Sequence, residues 1–368
     1  MRFTAGYWIQ RPVVCAIMPD LYPFVSIILP CRNEEKFIAG CLDSIISSDY
    51  PRERLEALVV DGMSEDGTRD ILARYTERYK FIRTLENKKK ITPCAFNIGI
   101  ENSRGDIIII MGVHAVYSED YISKCVKYLH DYDADNVGGV MITVPRENTL
   151  KGRAIAQALS HRFGVGNSIF RTGAGEPLFV DTVFGGCYKK EVFERIGLFN
   201  EKLAKHQDME FNCRLRAAGG RILLAPDIVC QYYARTDIKS FIRHNWGNGL
   251  SVFSSLKDTR AMPFSTRHFI PLVFVASLIV SAVLSIFSPD FFRLFAAIAG
   301  LYILAAAYFS LRISIDRKSP GLLFVMPSVF AMLHISHGLG SLCGVLSLPA
   351  SWRFWSKRKA INRYRLLS

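Results

Sequence analysis

Apolar runs alternate with amphipathic ones along the first half of the chain. "FVSIILP" (24–30) reads as a buried strand stopped by Pro30. "EEKFIAGCLDSIISS" follows as a helix, with Asn33 at its cap position and acidic residues in its first turn. "LEALVVDG" (55–62) predicts a second strand ending on Asp61-Gly62, "GTRDILARYTERY" a helix, and "FIRTLE" a third strand. Pro93 marks the start of a helix running to Ser103, and Gly105 leads into the all-isoleucine strand of "DIIIIMGVHAVY". "SEDYISKCVKYLHDY" is a further helix and "NVGGVMITV" a further strand. Such alternation predicts a mainly parallel sheet covered by helices, an α/β fold. Ligands bind these sheets outside the carboxyl ends of the strands, near a topological switch point. Residues 30–34, 61–68 and 112–114 are therefore the places where chemistry is expected.

From Leu150 the pattern loosens into the glycine-rich "GVGNSIFRTGAGEPLFVDTVFGGCY". "KEVFERIG" predicts a short helix. "HQDMEFNCRLRAAGGRILLAP" predicts a helix from about Gln207, closed by Gly219-Gly220 and followed by a strand. "KSFIRHNWGNGLSVFSSL" mixes basic and aromatic residues, as a segment on a membrane surface does. Two uncharged apolar runs, 269–287 and 294–311, each approach the ~20 residues of a spanning helix. A third, 321–348, contains Pro327, His334 and His337. It is long for one upright helix and short for two. Three simple crossings would put the basic tail outside, against the positive-inside rule, so either this run re-enters or dips, which is the expectation, or the tail is an exception. The expected organisation is a cytoplasmic domain over 1–238, an interfacial segment over 239–268, transmembrane helices over 269–350 and a basic tail over 351–368.

Composition sharpens this. Half of the residues are hydrophobic, with the excess after Arg267. Lys and Arg number 46 against 33 Asp and Glu, a formal net charge of +13. That favours anionic partners. No nucleic-acid-binding motif is present, which leaves anionic lipid and nucleotide phosphates. The nine cysteines show no zinc-like spacing and read as reduced thiols. The first twenty residues hold no apolar core long enough for a signal peptide. Lys257, Arg260 and Arg267 before the first apolar run, and Arg312, Arg317 and Lys318 after the second, place the large domain inside. A multi-pass protein of the cell (inner) membrane is expected.

Two stretches invite a chemical reading. The Gly62 to Thr68 spacing imitates a phosphate-binding loop, but its lysine is missing. Asp61 is either the acceptor of a tight Asp-Gly turn or a hydrogen-bond acceptor for a nucleobase or ribose. Asp208 and Glu210 either complement a helix dipole or supply a general base, Asp208, for attack by a sugar hydroxyl.

Taken together, "VSIILPCRNEE", "LVVDGMSEDGT", "NIG", "FGGCYKKEVFERIGLFNE" and "HQDMEFNCRLRAAGGRI" resemble the family 2 inverting glycosyltransferases. Within them the chain is similar to membrane-bound bacterial exopolysaccharide glucosyltransferases of the succinoglycan type. The resemblance covers roughly residues 24–255. It implies a GT-A (nucleotide-diphospho-sugar transferase) domain followed by transmembrane helices. It further implies a nucleotide-sugar donor, a lipid-linked acceptor and a divalent cation, Mn²⁺ or Mg²⁺. Pro30, Glu34 and Asp61 would line the nucleoside pocket, and Asn97 would either help shape the donor side or serve helix packing. Asp208 would be the base, and Gly185-Gly186 would sit near the acceptor, with Arg243 and Trp246 contacting it near the membrane. The Q-x-x-R-W signature of processive synthases is absent, which implies transfer of one sugar per acceptor.

The chain also departs from the family. Relatives end the fourth strand on Asp-x-Asp, whose carboxylates hold the metal against the diphosphate; here Gly112 and His114 stand at those positions. Exopolysaccharide-type relatives favour histidine at the second of them. Three readings stay open. His114 binds a metal bridged by the diphosphate; or His114, Lys88–Lys90 or Arg243 stabilises the phosphates without metal; or the protein is a binding or scaffold relative without turnover. Polyprenyl phosphate itself is an alternative acceptor.

Overall fold

The computed structural model describes residues 22–254, 256, 259 and 265–348. The stretch read for a signal peptide, the basic tail, and Lys257 and Arg260 lie outside the described residues.

Strands β1 (Val25–Cys31) and β2 (Leu55–Asp61) are apolar on both faces, so both faces must be covered. β1 pairs in parallel with β2 and with β4 (Ile107–Ile110), and β2 with β3 (Ile82–Glu86). Helices α1 (Ile38–Ile46), α2 (Thr68–Arg78) and α3 (Thr92–Glu101) carry the crossovers. Alternate residues of the strands feed two separate cores. Ile27, Leu29 and Ile109 belong to one, and Ile28, Ile108 and Ile110 to the other.

The chain continues through β5 (Ala115–Tyr117), α4 (Tyr121–Asp131), β6 (Asn136–Pro145), α5 (Leu150–Ser160), α6 (Arg162–Val165) and α7 (Ile169–Thr172). Then come β7 (Leu178–Phe179), β8 (Gly186–Lys189), α8 (Glu191–Ile196), α9 (Gln207–Ala217) and β9 (Ile222–Ala234). These strands extend the sheet to the order β3-β2-β1-β4-β8-β6-β9-β5, with β7 on β9. β8 runs antiparallel to both β4 and β6, and β5 and β7 run antiparallel to β9. The sheet is therefore mixed, and parallel pairing throughout holds only for its first four strands. The reason lies at Gly186, which opens β8 opposite Ile110, at the end of β4, so the chain must run backwards along that strand.

The helix expected from Glu34 starts at Ile38, with Phe37 at the cap. Asn33 caps nothing: its backbone is left-handed (φ 55°) and its Oδ1 accepts from the Glu65 N–H at 2.9 Å. Pro30 does not stop β1, which runs on to Cys31. Beyond Ile28 the strand has a ladder partner only in β2, and a residue without an N–H is tolerated there.

Glu56 is a wholly buried carboxylate that ties β2 to its neighbours. It accepts from Ser26 Oγ at 2.6 Å, from the Arg104 N–H at 2.7 Å, and from the Arg83 and Arg104 guanidinium groups at 3.2 and 3.1 Å.

After β9, α10 (Ile238–Ser254), α11 (Ile270–Leu284), α12 (Pro289–Asp316) and α13 (Gly321–Leu346) follow. Three helices of the described chain are long and apolar enough to cross a membrane: Thr266–Leu284, Pro289–Asp316 and Gly321–Leu346. The third run does not bend back. It forms one unbroken helix, about 39 Å long at 1.5 Å per residue, with Pro327 inside its first turns. Its length is used inside the protein, because α13 packs along the whole of α10. The two helices meet backbone to backbone. A Cβ on Gly249 would lie 2.0 Å from the His337 carbonyl oxygen, and one on Gly340 2.2 Å from that of Trp246. Small residues permit such approach between membrane helices. The segment expected to lie on a membrane surface is thus an integral strut between the sheet domain and α13.

Replacing Glu56 by Gln tests the sheet-edge anchor. Burial alone would raise this carboxyl, but the bonds from Ser26 and Arg104 outweigh it and hold it below its ordinary value. A depressed carboxyl contributes stability above its unfolded value, lost as pH falls through its folded one. Glu56→Gln is expected to cost about 3 kcal/mol at pH 7. Thermal unfolding of the detergent-solubilised protein should show the gap from wild type closing as pH drops below about 4.

Candidate active site

β2 and β3 lie on one side of β1 and β4 on the other, so the crossovers part between β1 and β4. This topological switch opens a crevice at the carboxyl ends of those strands. Two loops line it, 32–37 and 111–114. The first is laced to residues 64–68 by two further bonds: the Asn33 N–H donates to Ser64 Oγ and the Glu34 N–H to Thr68 Oγ1, each at 2.8 Å. Asp61 closes β2 beneath this lacing, only 1% exposed. It accepts from the Ser64 N–H at 3.1 Å, from Ser64 Oγ, and from Arg69 Nε at 2.8 Å. Its lone pairs are thus filled from within the chain, and its observed work is to hold the 62–68 turn.

His114 stands opposite Glu34, with Nε2 3.1 Å from Glu34 Oε1. Its Nδ1 lies 3.2 Å from Arg146 Nη2. A guanidinium only donates, so Nδ1 accepts and the ring proton belongs on Nε2, where Glu34 receives it. Phe37 buttresses both, edge-on to the imidazole at 4.9 Å and under the Arg146 guanidinium at 4.3 Å. Gly112 is not required by its backbone. A Cβ there would meet only the Phe184 ring, at an ordinary 3.5 Å.

Gly185 and Gly186 lie at the same edge. Gly185 is left-handed (φ 67°), and a Cβ on it would fall 2.4 Å from the Ile110 carbonyl oxygen. Next to them the Tyr188 hydroxyl lies 3.4 Å from both the Gly185 carbonyl and Asn212 Oδ1. Burial, and after it the charge of nearby Asp208, push this hydroxyl far above its ordinary range. Asp208 occupies the first turn of α9, which Asn212 anchors to Asn136 and Thr182 at 3.0 and 2.9 Å. It lines a cavity of about 530 Å³ that reaches from the sheet domain to α11, α12 and α13. Tyr232, also in that wall, packs on Phe184 at 5.9 Å, and Phe184 in turn faces Gly112. The Asp208 cavity and the Glu34–His114 crevice therefore border on one another.

Other expected residues lie elsewhere. Asn97 exchanges two bonds of 2.9 Å with the Phe199 backbone and reaches Glu201 at 3.2 Å. Lys89 pairs with Glu201 at 2.5 Å and Lys90 with Glu65 at 3.6 Å. Lys89, Cys94 and Asn97 hold the Glu201 carboxyl down at about 2. Arg243 and Trp246 are not in the cavity wall; Phe241, His244, Asn245 and Asn248 take the inward face of α10.

Among the described residues no three His, Cys, Asp or Glu side chains are grouped to hold a metal ion. At His114 the donor set is one imidazole and one carboxylate, both engaged. These two fit a cation only if phosphate oxygens of a bound nucleotide fill the remaining positions.

The Glycosyl transferase family 2 sequence profile matches residues 26–197. A dolichyl N-acetyl-α-D-glucosaminyl phosphate 3-β-D-2,3-diacetamido-2,3-dideoxy-β-D-glucuronosyltransferase of Methanococcus voltae is 33% identical over 234 residues, 61% of this chain and 72% of that one. The chain belongs to glycosyl transferase family 2. The succinoglycan biosynthesis protein ExoA of Rhizobium meliloti is 29% identical over 262 residues, 71% of this chain and 78% of that one. The fold matches that of a Pyrobaculum calidifontis mannosyltransferase solved with GDP-Man and Mn²⁺, at a TM-score of 0.54, 23% identity and 91% coverage of both chains. As a family 2 member with a GT-A fold, this protein is a glycosyltransferase with three helices able to span a membrane.

In this glycosyltransferase, sequence reasoning passed over Arg146, Arg171 and Tyr232. Arg146 follows directly on β6, and inspecting that strand's end would have found it. Arg171 sits in the glycine-rich stretch, where no periodicity marks it.

Asn97→Ala removes the tether of the loop leading to α9. It is expected to cost about 1–3 kcal/mol of stability and to leave nucleotide affinity within about twofold. Thermal unfolding and calorimetric titration with UDP check the two halves of this expectation.

Proposed function

We propose that this glycosyltransferase transfers one hexose, with inversion, from a UDP-linked donor to a hydroxyl of a lipid-linked saccharide. The reaction would take place at the cytoplasmic face of the cell (inner) membrane. The observation that carries the reading is the position of Asp208, in a cavity walled on one side by the sheet domain and on the other by the apolar helices. A carboxylate there meets an acceptor confined to the bilayer while facing the crevice at the strand ends. The Methanococcus relative is named for a dolichyl-linked sugar phosphate acceptor, and the Rhizobium relative for succinoglycan biosynthesis. The first agrees with a lipid-borne acceptor, and the second with a role in polysaccharide synthesis.

In this reading Asp208 takes the proton of the attacking hydroxyl as its oxygen forms the bond to the anomeric carbon. The bond to the diphosphate breaks on the opposite face, so a single displacement inverts the centre. Pro30, Glu34 and the turn that Asp61 holds shape the nucleoside end. His114 and Arg146 face the diphosphate, Arg146 adding fixed positive charge where negative charge accumulates. Glu34 and His114 would hold a divalent cation arriving with the nucleotide, an imidazole suiting Mn²⁺ better than Mg²⁺. When bound, such an ion neutralises the departing diphosphate. The missing Q-x-x-R-W signature supports one addition per acceptor. Gly185 and Gly186, on the acceptor side in this reading, let the chain close tightly against Ile110 and Tyr188.

Asp208→Asn tests the base. Transfer from UDP-hexose to a membrane lipid extract should fall about 10²- to 10⁴-fold, with UDP-hexose affinity largely kept. Full turnover in that variant would remove Asp208 from the role. Product analysis on the wild type separates a disaccharide lipid from the sugar phosphate that a bare polyprenyl phosphate acceptor would give.

A further inference from the structure

The cavity that holds Asp208 is unbalanced in charge. Arg162, Arg171, Arg235 and Arg267 line it, and Asp208 is its one carboxylate among the described residues. Arg267 is accounted for, since it pairs with Asp181 at 3.5 Å. Arg171 is not. Its guanidinium lies beside the rings of Phe170 and Tyr232, at 5.6 and 5.9 Å, and its Nη1 is buried without a hydrogen-bond partner among the described residues. Burial pushes this arginine below its ordinary value. The residue as a whole is half-buried in the cavity wall, so it is this one group that lacks a partner, and a ligand can complete it.

A second orphan faces the same space from the other side. His337 on α13 lines the cavity, and its Nε2 is buried with no partner among the described residues. One unsatisfied group belongs to the sheet domain and the other to a membrane helix. What satisfies both must sit where the two meet. His244 adds no charge there at neutral pH: burial, then the charges of Lys205, Arg235 and Arg171, press its imidazole down to about 4. The far end of the cavity changes character, with Ile270, Pro271, Phe274, Tyr302 and Leu333 walling it between the apolar helices. A cationic floor with an apolar exit fits an anion carried on a hydrocarbon chain.

We propose that Arg171 and His337 bind the phosphate of the lipid-linked acceptor, placing it in the cavity with Asp208 while its chain leaves between α11, α12 and α13. This deepens the proposed function and rests on it for the word acceptor. The phosphate site itself stands on the two orphaned groups. The chemistry is a phosphate ester on an apolar chain, and bulk phospholipid is the competing source.

The test uses the full-length protein in neutral detergent, with farnesyl phosphate as probe and farnesol as its uncharged control. Farnesyl phosphate should raise the thermal midpoint and farnesol should not. Arg171→Gln and His337→Ala should each weaken farnesyl phosphate binding by about tenfold or more, with Arg171→Lys in between. UDP affinity should not change. Without ligand, Arg171→Gln should be within error as stable as wild type, because the half-buried guanidinium leaves a buried group unpartnered and holds no bond that folding needs; an arginine with a structural role would lower it. Three results overturn the assignment: unchanged farnesyl phosphate binding in Arg171→Gln, loss of UDP binding instead, or equal competition by phosphatidylglycerol. An active Asp208→Asn alongside an Arg171-dependent farnesyl phosphate response would sink the base assignment and keep this site.

Discussion

The carbonyl oxygen of His337 occupies the space where a side chain on residue 249 would begin. That contact, repeated at Gly340 and Trp246, joins α10 to α13 with no side chains between them. Much of the molecule's geometry hangs from it. α10 follows closely on β9, so fixing α10 on α13, together with the packing of α5 against α12 and α13, fixes the sheet domain relative to the apolar helices. The cavity with Asp208 exists because the two bodies meet at this angle. Helices in lipid gain no hydrophobic energy by associating, and close backbone packing is one of the few forces left to them. Glycine is thus the source of rigidity here rather than of freedom.

The catalytic end of the molecule follows a different constraint. Four parallel strands covered on both faces must send their connections to opposite sides of β1, and a crevice opens where they part. Loops there need not pack, so they carry polar groups. Asn33, Ser64 and Thr68 spend theirs on holding the two rims together. Only Glu34, His114 and Arg146 face one another across the gap. No carboxylate stands at position 112, and an arginine lies within reach of His114. A small part of the positive charge is gathered inward, Arg146 at the crevice and Arg162, Arg171, Arg235 and Arg267 in the cavity.

How much of this could be read in advance depended on whether a local pattern recorded it. The isoleucine run and the valine-rich second strand announced a buried parallel sheet, because only doubly covered strands tolerate such sequences. Asp61, His114 and Asp208 were visible because strand ends and helix starts are marked by turn and cap residues. The strands at 136–145 and after Gly220 were legible, but the order and direction of the second half of the sheet were not. β8 and β9 take their direction from Gly185, Gly186 and a long return, and no period in the sequence encodes which neighbour a strand meets. Asn33 misled because its composition suits a cap equally well as a left-handed loop. Arg171 and His337 left no signal at all. Each is ordinary in its own segment and gains meaning only from the other, across more than 160 positions of chain.

The unbroken α13 has a mechanical implication. A stiff rod long and apolar enough to thread a bilayer, which also carries the sheet domain, can act as a depth gauge. It would set the height of Asp208 above the hydrocarbon boundary. A glycan that has already grown by several units would present its terminal hydroxyl beyond that height, whatever its chemistry. Selection among the intermediates of a lengthening oligosaccharide then needs no recognition of individual sugars, only a fixed distance.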